Sequence, residues 1–157
     1  MLRGGASIIA AAAFVLTSCS SSSSVSTLSY PAYTYTCCAE ITAITIWQPG
    51  QHLTLHWASQ LTKTTDVTPH AVVLRLTLTG PFNTVDQLKT DINTGTRPPG
   101  VRSIKAPDLS VTDFTGGTPA SELDLPADLQ PGYYNLDTLT ASGGSSAGGG
   151  AVIEISR

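Results

Sequence analysis

Charge is scarce in this chain, and basic charge is scarcest. Lys and Arg number 8 against 11 Asp and Glu in 157 residues, a formal net charge of −3, and only 12% of residues are charged. A nucleic-acid partner would need a basic face for its phosphates, so that class is excluded. Long apolar runs are missing too. The run from Ile8 to Leu16 covers ~14 Å at ~1.5 Å per residue, well short of a bilayer core of about 30 Å. No spanning helix is expected. Cysteine is rare and odd in number, 3 in all, which in an exported chain leaves one without an intramolecular partner. Thr, Ser, Gly and Pro take the place of charge. Such composition, with frequent turn residues, suits extracytoplasmic β proteins better than helical ones.

The apolar run follows a short N-terminal stretch with one positive charge, Arg3, and is itself followed by Leu16-Thr17-Ser18-Cys19 and a run of serines. Its length and flanks mark a signal peptide. The four residues resemble the lipobox of bacterial lipoproteins, in which an aliphatic residue and two small ones precede a lipid-bearing cysteine. The resemblance implies cleavage before Cys19 and diacylglycerol on its sulfur. Stable anchoring takes two acyl chains at about 0.8 kcal/mol per buried CH₂, and a diacyl anchor supplies them. It also implies a place on the extracytoplasmic face of the cell membrane, or of an outer membrane where there are two, which Ser20 after the cysteine permits. Loss of Arg3 with the signal makes the mature chain one charge more acidic.

The expected organisation is a signal helix over residues 1–18, the lipidated cysteine and a disordered serine-rich linker over 19–36, and one folded domain over 37–157. The linker holds too little apolar surface to offset its ordering entropy. Tyr30, Tyr33 and Tyr35 read as an irregular first strand, with contact to the membrane interface or a sugar as the functional alternative. With Cys19 lipidated, Cys37 and Cys38 remain. Neighbouring Cα atoms lie ~3.8 Å apart, shorter than disulfides prefer. A strained ring between them, a bridge to another chain and two free thiols all stay open.

Further on, the period is two. Glu40 to Trp47 is rich in Ile and Thr and ends at Pro49-Gly50. In Gln51 to Ala58, Leu53, Leu55 and Trp57 share one face and His52, Thr54 and His56 the other. Ala71 to Thr79 turns Val72, Leu74, Leu76 and Leu78 inward, and Gly80-Pro81 is expected to end it. Val85, Leu88 and Ile92 then form the stripe of a short helix, with Asn83 or Thr84 as its cap and Asn93-Thr94-Gly95 as its end. Val101 to Ala106 and Leu109 to Phe114 are weaker strand candidates, and Ser121 to Leu125 a better one. A strand after Gly132 reaches about Ala141. A Gly/Ser loop is expected next, then a last strand from Ala151 to Ser156. Leu136, Ile153 and Ile155 complete the expected core.

Two stretches resemble immunoglobulin-like domains, the fibronectin type III class among them. Leu129-Gln130-Pro131-Gly132-Tyr133-Tyr134 is similar to the approach to their penultimate strand, where a tyrosine hydroxyl bonds back to the backbone. His52 to Trp57 resembles their second strand. The resemblance implies an all-β, antiparallel sandwich with Tyr134 at the corner and a short helical insertion near residues 80–117.

Catalytic and metal chemistry is sought without success. Gly144-Ser145-Ser146-Ala147-Gly148 matches the G-x-S-x-G string of serine hydrolases, but that motif needs a strand–turn–helix elbow and a later histidine. Here it falls between two strands, with no histidine after it. On a strand, His52 and His56 stand ~14 Å apart, too far for one metal ion. His70 has no visible partner. Asp108, Asp113, Asp124, Asp128 and Asp137 follow no calcium-loop spacing, and a small sandwich offers little cleft for a carboxylate pair. Trp47 and Tyr133 are the exposed aromatic pair that could contact a ligand. The expectation is a non-catalytic module of the cell envelope, with no metal and no cofactor, that binds an envelope protein or has a structural role; a surface carbohydrate-binding module is the alternative.

Overall fold

The structure is a computed structural model that describes residues 27–38, 40–41 and 45–157. The signal segment, Cys19 and most of the serine run lie outside the described residues. The described residues are mostly β, with one short helix among them. In order, the elements are β1 (Tyr30–Cys37), β2 (Thr45–Trp47), β3 (His52–Thr64), β4 (Ala71–Phe82), α1 (Val85–Thr94), β5 (Arg102–Lys105), β6 (Leu109–Thr112), β7 (Ala120–Asp124), β8 (Gly132–Ser142) and β9 (Ser145–Ile155). Among the described residues, no helix is long and apolar enough to cross a membrane.

Two sheets form. One has the order β1-β3-β7; the other has the order β2-β9-β8-β4-β5, with β6 also paired to β4. The pairs are antiparallel except β2 with β9, which run parallel. The alternation read from the sequence sets the facing. Leu55 and Leu123 from the first sheet share a buried cluster with Leu76, Leu78, Leu136, Ile153 and Ile155 from the second. Tyr35 and Trp57 meet Val72 and Leu74 in an adjoining cluster. Burial of such side chains contributes about 1.5–3 kcal/mol each. Of the expected core, only Leu53 stays half-buried; the other nine residues are buried.

Among the described residues the first strand begins at Tyr30, where the tyrosines read as an irregular first strand, inside the stretch that composition assigns to the linker. β1 pairs with β3 from Tyr30↔Thr64 to Cys37↔Trp57. Tyr35 is buried and its hydroxyl donates to the Thr112 carbonyl at 2.9 Å. One buried aromatic and a strand partner hold this polar segment, neither of which periodicity reveals.

β4 does not stop at Gly80-Pro81. It continues to Phe82, with a register shift against β8 between Thr79 and Phe82. Gly80 lies against the Tyr134 ring. That ring is fully buried, and its hydroxyl donates to the Gln130 carbonyl at 2.7 Å, bonding back four residues. Burial pushes the Tyr134 hydroxyl pKa up to about 12.

α1 begins and ends where expected. The Thr84 hydroxyl accepts from the Gln87 amide at 3.1 Å, and Gly95, at φ +68°, donates its amide to the Asp91 carbonyl. Its buried face differs from the expected stripe. Leu88 and Asp91 are buried, and Ile92 is 56% exposed.

The expected Gly/Ser loop is a hairpin. Gly143 and Gly144, both at positive φ, make a two-residue turn between Ser142 and Ser145. Two positive φ values in a two-residue connection match the twist of the flanking strands. Residues 148–150 therefore lie inside β9, opposite Leu139, Thr138 and Asp137.

Candidate functional site

The outer face of the larger sheet carries an open trough of about 700 Å³, walled on one side by Ile92 of α1 and by Arg97 beyond it. Strand parity builds it. Tyr134 and Leu136 point into the core, so Asn135 and Asp137 of β8 point outward. Ile153 and Ile155 point inward, so Gly150 and Gly148 of β9 lie on the outer face. β4 adds Arg75, Thr77 and Thr79, and β5 adds Ser103.

Most of these groups are tied to one another. Asn135 donates to Asp137 Oδ1 at 2.7 Å. The Thr79 and Ser103 hydroxyls lie 2.9 Å apart. Arg75 Nε donates to Asp108 Oδ2 at 2.8 Å, and Lys105 stands 3.0 Å from the other oxygen of Asp108. Arg75 and then Lys105 hold the Asp108 carboxyl below its ordinary range. Burial pushes the Asp137 carboxyl above its ordinary value; the Asn135 amide and Arg97 pull against that, and the charge of Asp91 adds to it. The Asp91 side chain is only 10% exposed, and its Oδ1 has no hydrogen-bond partner. Arg97 Nε is 3.7 Å away.

Of the residues expected at a site, Trp47 is misassigned. It is 7% exposed and belongs to the core. β2 pairs with β9 so that Trp47 lies beside inward-facing Ile155, while half-buried Tyr133 lies beside Glu154 on the opposite face. The two aromatics cannot form one platform. The exposed residue of β2 is Ile46. Cys37 and Cys38 stand together at the end of β1, with their sulfurs joined. They line a smaller cavity of about 260 Å³ with Ile41 and Leu136. Cys19 lies outside the described residues.

The histidines are better partnered than the sequence suggests. His52 contacts Asp124 at 2.6 Å and Glu122 at 2.8 Å, and His56 contacts Glu40. His70, expected to be alone, has Asp113 at 3.1 Å and Asp66 at 3.3 Å. All three side chains are substantially exposed. Among the described residues, no group of three His, Cys, Asp or Glu could hold a metal ion. The G-x-S-x-G string runs from the turn into β9, with no helix after it.

Asp124, by hydrogen bond and then by charge, raises the pKa of His52 above its ordinary value. A histidine whose folded pKa is raised stabilises the fold fully below the unfolded value near 6.5, and that contribution is lost as pH rises through the folded pKa. Wild type should therefore exceed His52→Gln in Tm by more on the acid side of that window than on the alkaline side. An equal difference at both ends of a thermal-melt series would contradict the pairing.

No protein-family model matches the chain. Comparison with curated proteins likewise gives no match.

Proposed function

We propose that this chain is a lipid-anchored, extracytoplasmic lipoprotein of the cell envelope whose domain is an immunoglobulin-like sandwich acting as a non-catalytic binding module. The trough is its binding surface, and that recess is the observation that carries the reading. It presents donors and acceptors over an open floor, most of them on strands and Arg97 from the segment after α1.

Two features support the immunoglobulin-like part. The sheet orders β1-β3-β7 and β9-β8-β4 follow the arrangement of the first, second and fifth strands against the seventh, sixth and third in such domains. The Tyr134 hydroxyl bond to the Gln130 carbonyl has the form of their corner tyrosine. Support for the anchor comes from Leu16-Thr17-Ser18-Cys19 and the serines after it.

The test is recovery of the full-length protein from detergent-solubilised membranes, with identification of what accompanies it. A companion protein or glycan at stoichiometric level is expected. Full recovery with lipid alone, in a protein that then takes up no added glycan, would contradict the binding half of the reading.

A further inference from the structure

We propose that the trough binds a neutral oligosaccharide, with Arg75, Arg97, Asn135 and Asp137 gripping the sugar hydroxyls above a floor of bare backbone at Gly148 and Gly150. This inference rests on the binding-module reading and names its ligand.

The shape comes first. A volume of about 700 Å³ lies within the usual range for small-ligand sites, roughly 300–1,000 Å³. The floor is made by glycines in mid-strand, where each costs about 0.5–1 kcal/mol relative to alanine. No positive φ calls for glycine at 148 or 150. A Cβ at Gly150 would come 3.3 Å from Asn135 Oδ1, and one at Gly148 would come 3.1 Å from the Thr138 carbonyl oxygen. Any larger side chain there would stand in the trough. The glycines keep it empty and flat, and Leu139 and Ile92 beside it offer apolar contact to the C–H face of a sugar ring.

Charge decides the chemistry. Both signs of charge line the recess: Arg75 lies opposite Leu139 and pairs with Asp108, Asp137 lies opposite Thr77 with Asn135 bonded to it, and Arg97 stands on the wall. A bare anion entering would meet Asp137, and a bare cation would meet two guanidinium groups. A hydroxyl both donates and accepts, so a polyhydroxyl ligand can pair with each group in turn. Sites built to hydrogen-bond a hydroxyl discriminate strongly, because their polar groups are left unpaired without it. The buried carboxylate behind the wall points the same way. Asp91 Oδ1 lacks a hydrogen-bond partner, and Arg97, the nearest cation, stands 3.7 Å off. An unsatisfied buried oxygen is rare enough to need a cause. Arg97 turning onto a ligand hydroxyl while it closes on Asp91 would supply one.

The probes are soluble neutral oligosaccharides of glucose, mannose, galactose and N-acetylglucosamine, titrated calorimetrically into the full-length protein in detergent micelles. Polygalacturonate oligomers serve as the acidic comparison. At least one neutral series should bind, and more tightly than the acidic oligomers. Gly150→Val should weaken that binding at least about tenfold, or ~1.4 kcal/mol, with Tm measured alongside, because the new Cβ must push Asn135 Oδ1 back from 3.3 Å. Asp137→Asn, which keeps the shape of the side chain, should weaken it as well and guards against a Gly150→Val chain that fails to fold. Binding of no neutral series, binding unchanged in both variants, or tighter binding of the acidic oligomers would overturn the proposal. If no glycan binds but a companion protein recovered from membranes is lost in Gly150→Val, the glycan assignment falls and the binding module stands. If neither binds, both fall.

Discussion

Trp57→Ala should destabilise the protein by about 3–5 kcal/mol, the range for removing a buried aromatic from a packed core. Trp57 is 1% exposed and lies between the sheets with Tyr35, Val72 and Leu74. Its indole Nε1 donates to the Ser121 hydroxyl at 3.0 Å. Ser121 is itself only 3% exposed, so alanine would leave both a cavity and a buried hydroxyl without its donor. Each of those adds to the loss. The effect reaches three strands, since β1, β3 and β4 all contribute to that cluster. Urea unfolding of the full chain at unchanged m-value measures it. A loss within about 0.5 kcal/mol, the size of an ordinary surface change, would mean that Trp57 does not bridge the sheets.

Gly80→Ala should be nearly as damaging, for the opposite reason. A methyl group there would come 2.4 Å from Tyr134 Cδ1, 2.6 Å from Cγ and 2.8 Å from the Tyr133 carbonyl oxygen. The ring has no room to yield, because Tyr134 is fully buried and its hydroxyl is held by Gln130. Overpacking of this kind costs about 1–3 kcal/mol and occasionally more, and a fixed ring with a backbone oxygen behind it belongs at the top of that range. Thermal melts of Gly80→Ala beside Tyr134→Phe separate the two contributions. Phenylalanine keeps the ring and loses only the hydroxyl bond, worth about 0.5–1.5 kcal/mol. A Gly80→Ala protein as stable as wild type would show that Tyr134 packs elsewhere.

Gly80 also shows where sequence reasoning reaches its limit. Gly-Pro is a sound turn signal, and in this chain it marks instead a register shift within β4 and the seat of an aromatic ring. Strands with full alternation were legible: His52 to Trp57 and Ala71 to Thr79 declare their facing residue by residue, and the core follows. The caps of α1 were legible because Thr84 and Gly95 carry their conformational preferences locally.

The trough was not legible. A glycine tract has no side chains to alternate and little strand propensity, so residues 148–150 look like loop until β8 pairs with them. The facing of Trp47 depends on how a three-residue strand lies along β9, which no period of two can fix in so short a run. Asp91 escaped because a stripe count sees apolar Ile92 and passes over a carboxylate that tertiary packing buries. Asn135 and Asp137 were visible only as polar positions on a strand. That they meet Arg97, from beyond the helix, depends on tertiary folding.

The central claim is that this domain hangs from a membrane by Cys19. The most direct measurement is mass spectrometry of the N-terminal peptide of the protein extracted from membranes, with Cys19→Ala alongside. The account predicts a wild-type peptide that begins at Cys19 and carries diacylglycerol, and a variant that keeps its signal segment and lacks the lipid. A wild-type peptide with Cys19 unmodified, or a variant processed and retained on membranes as wild type is, would contradict it.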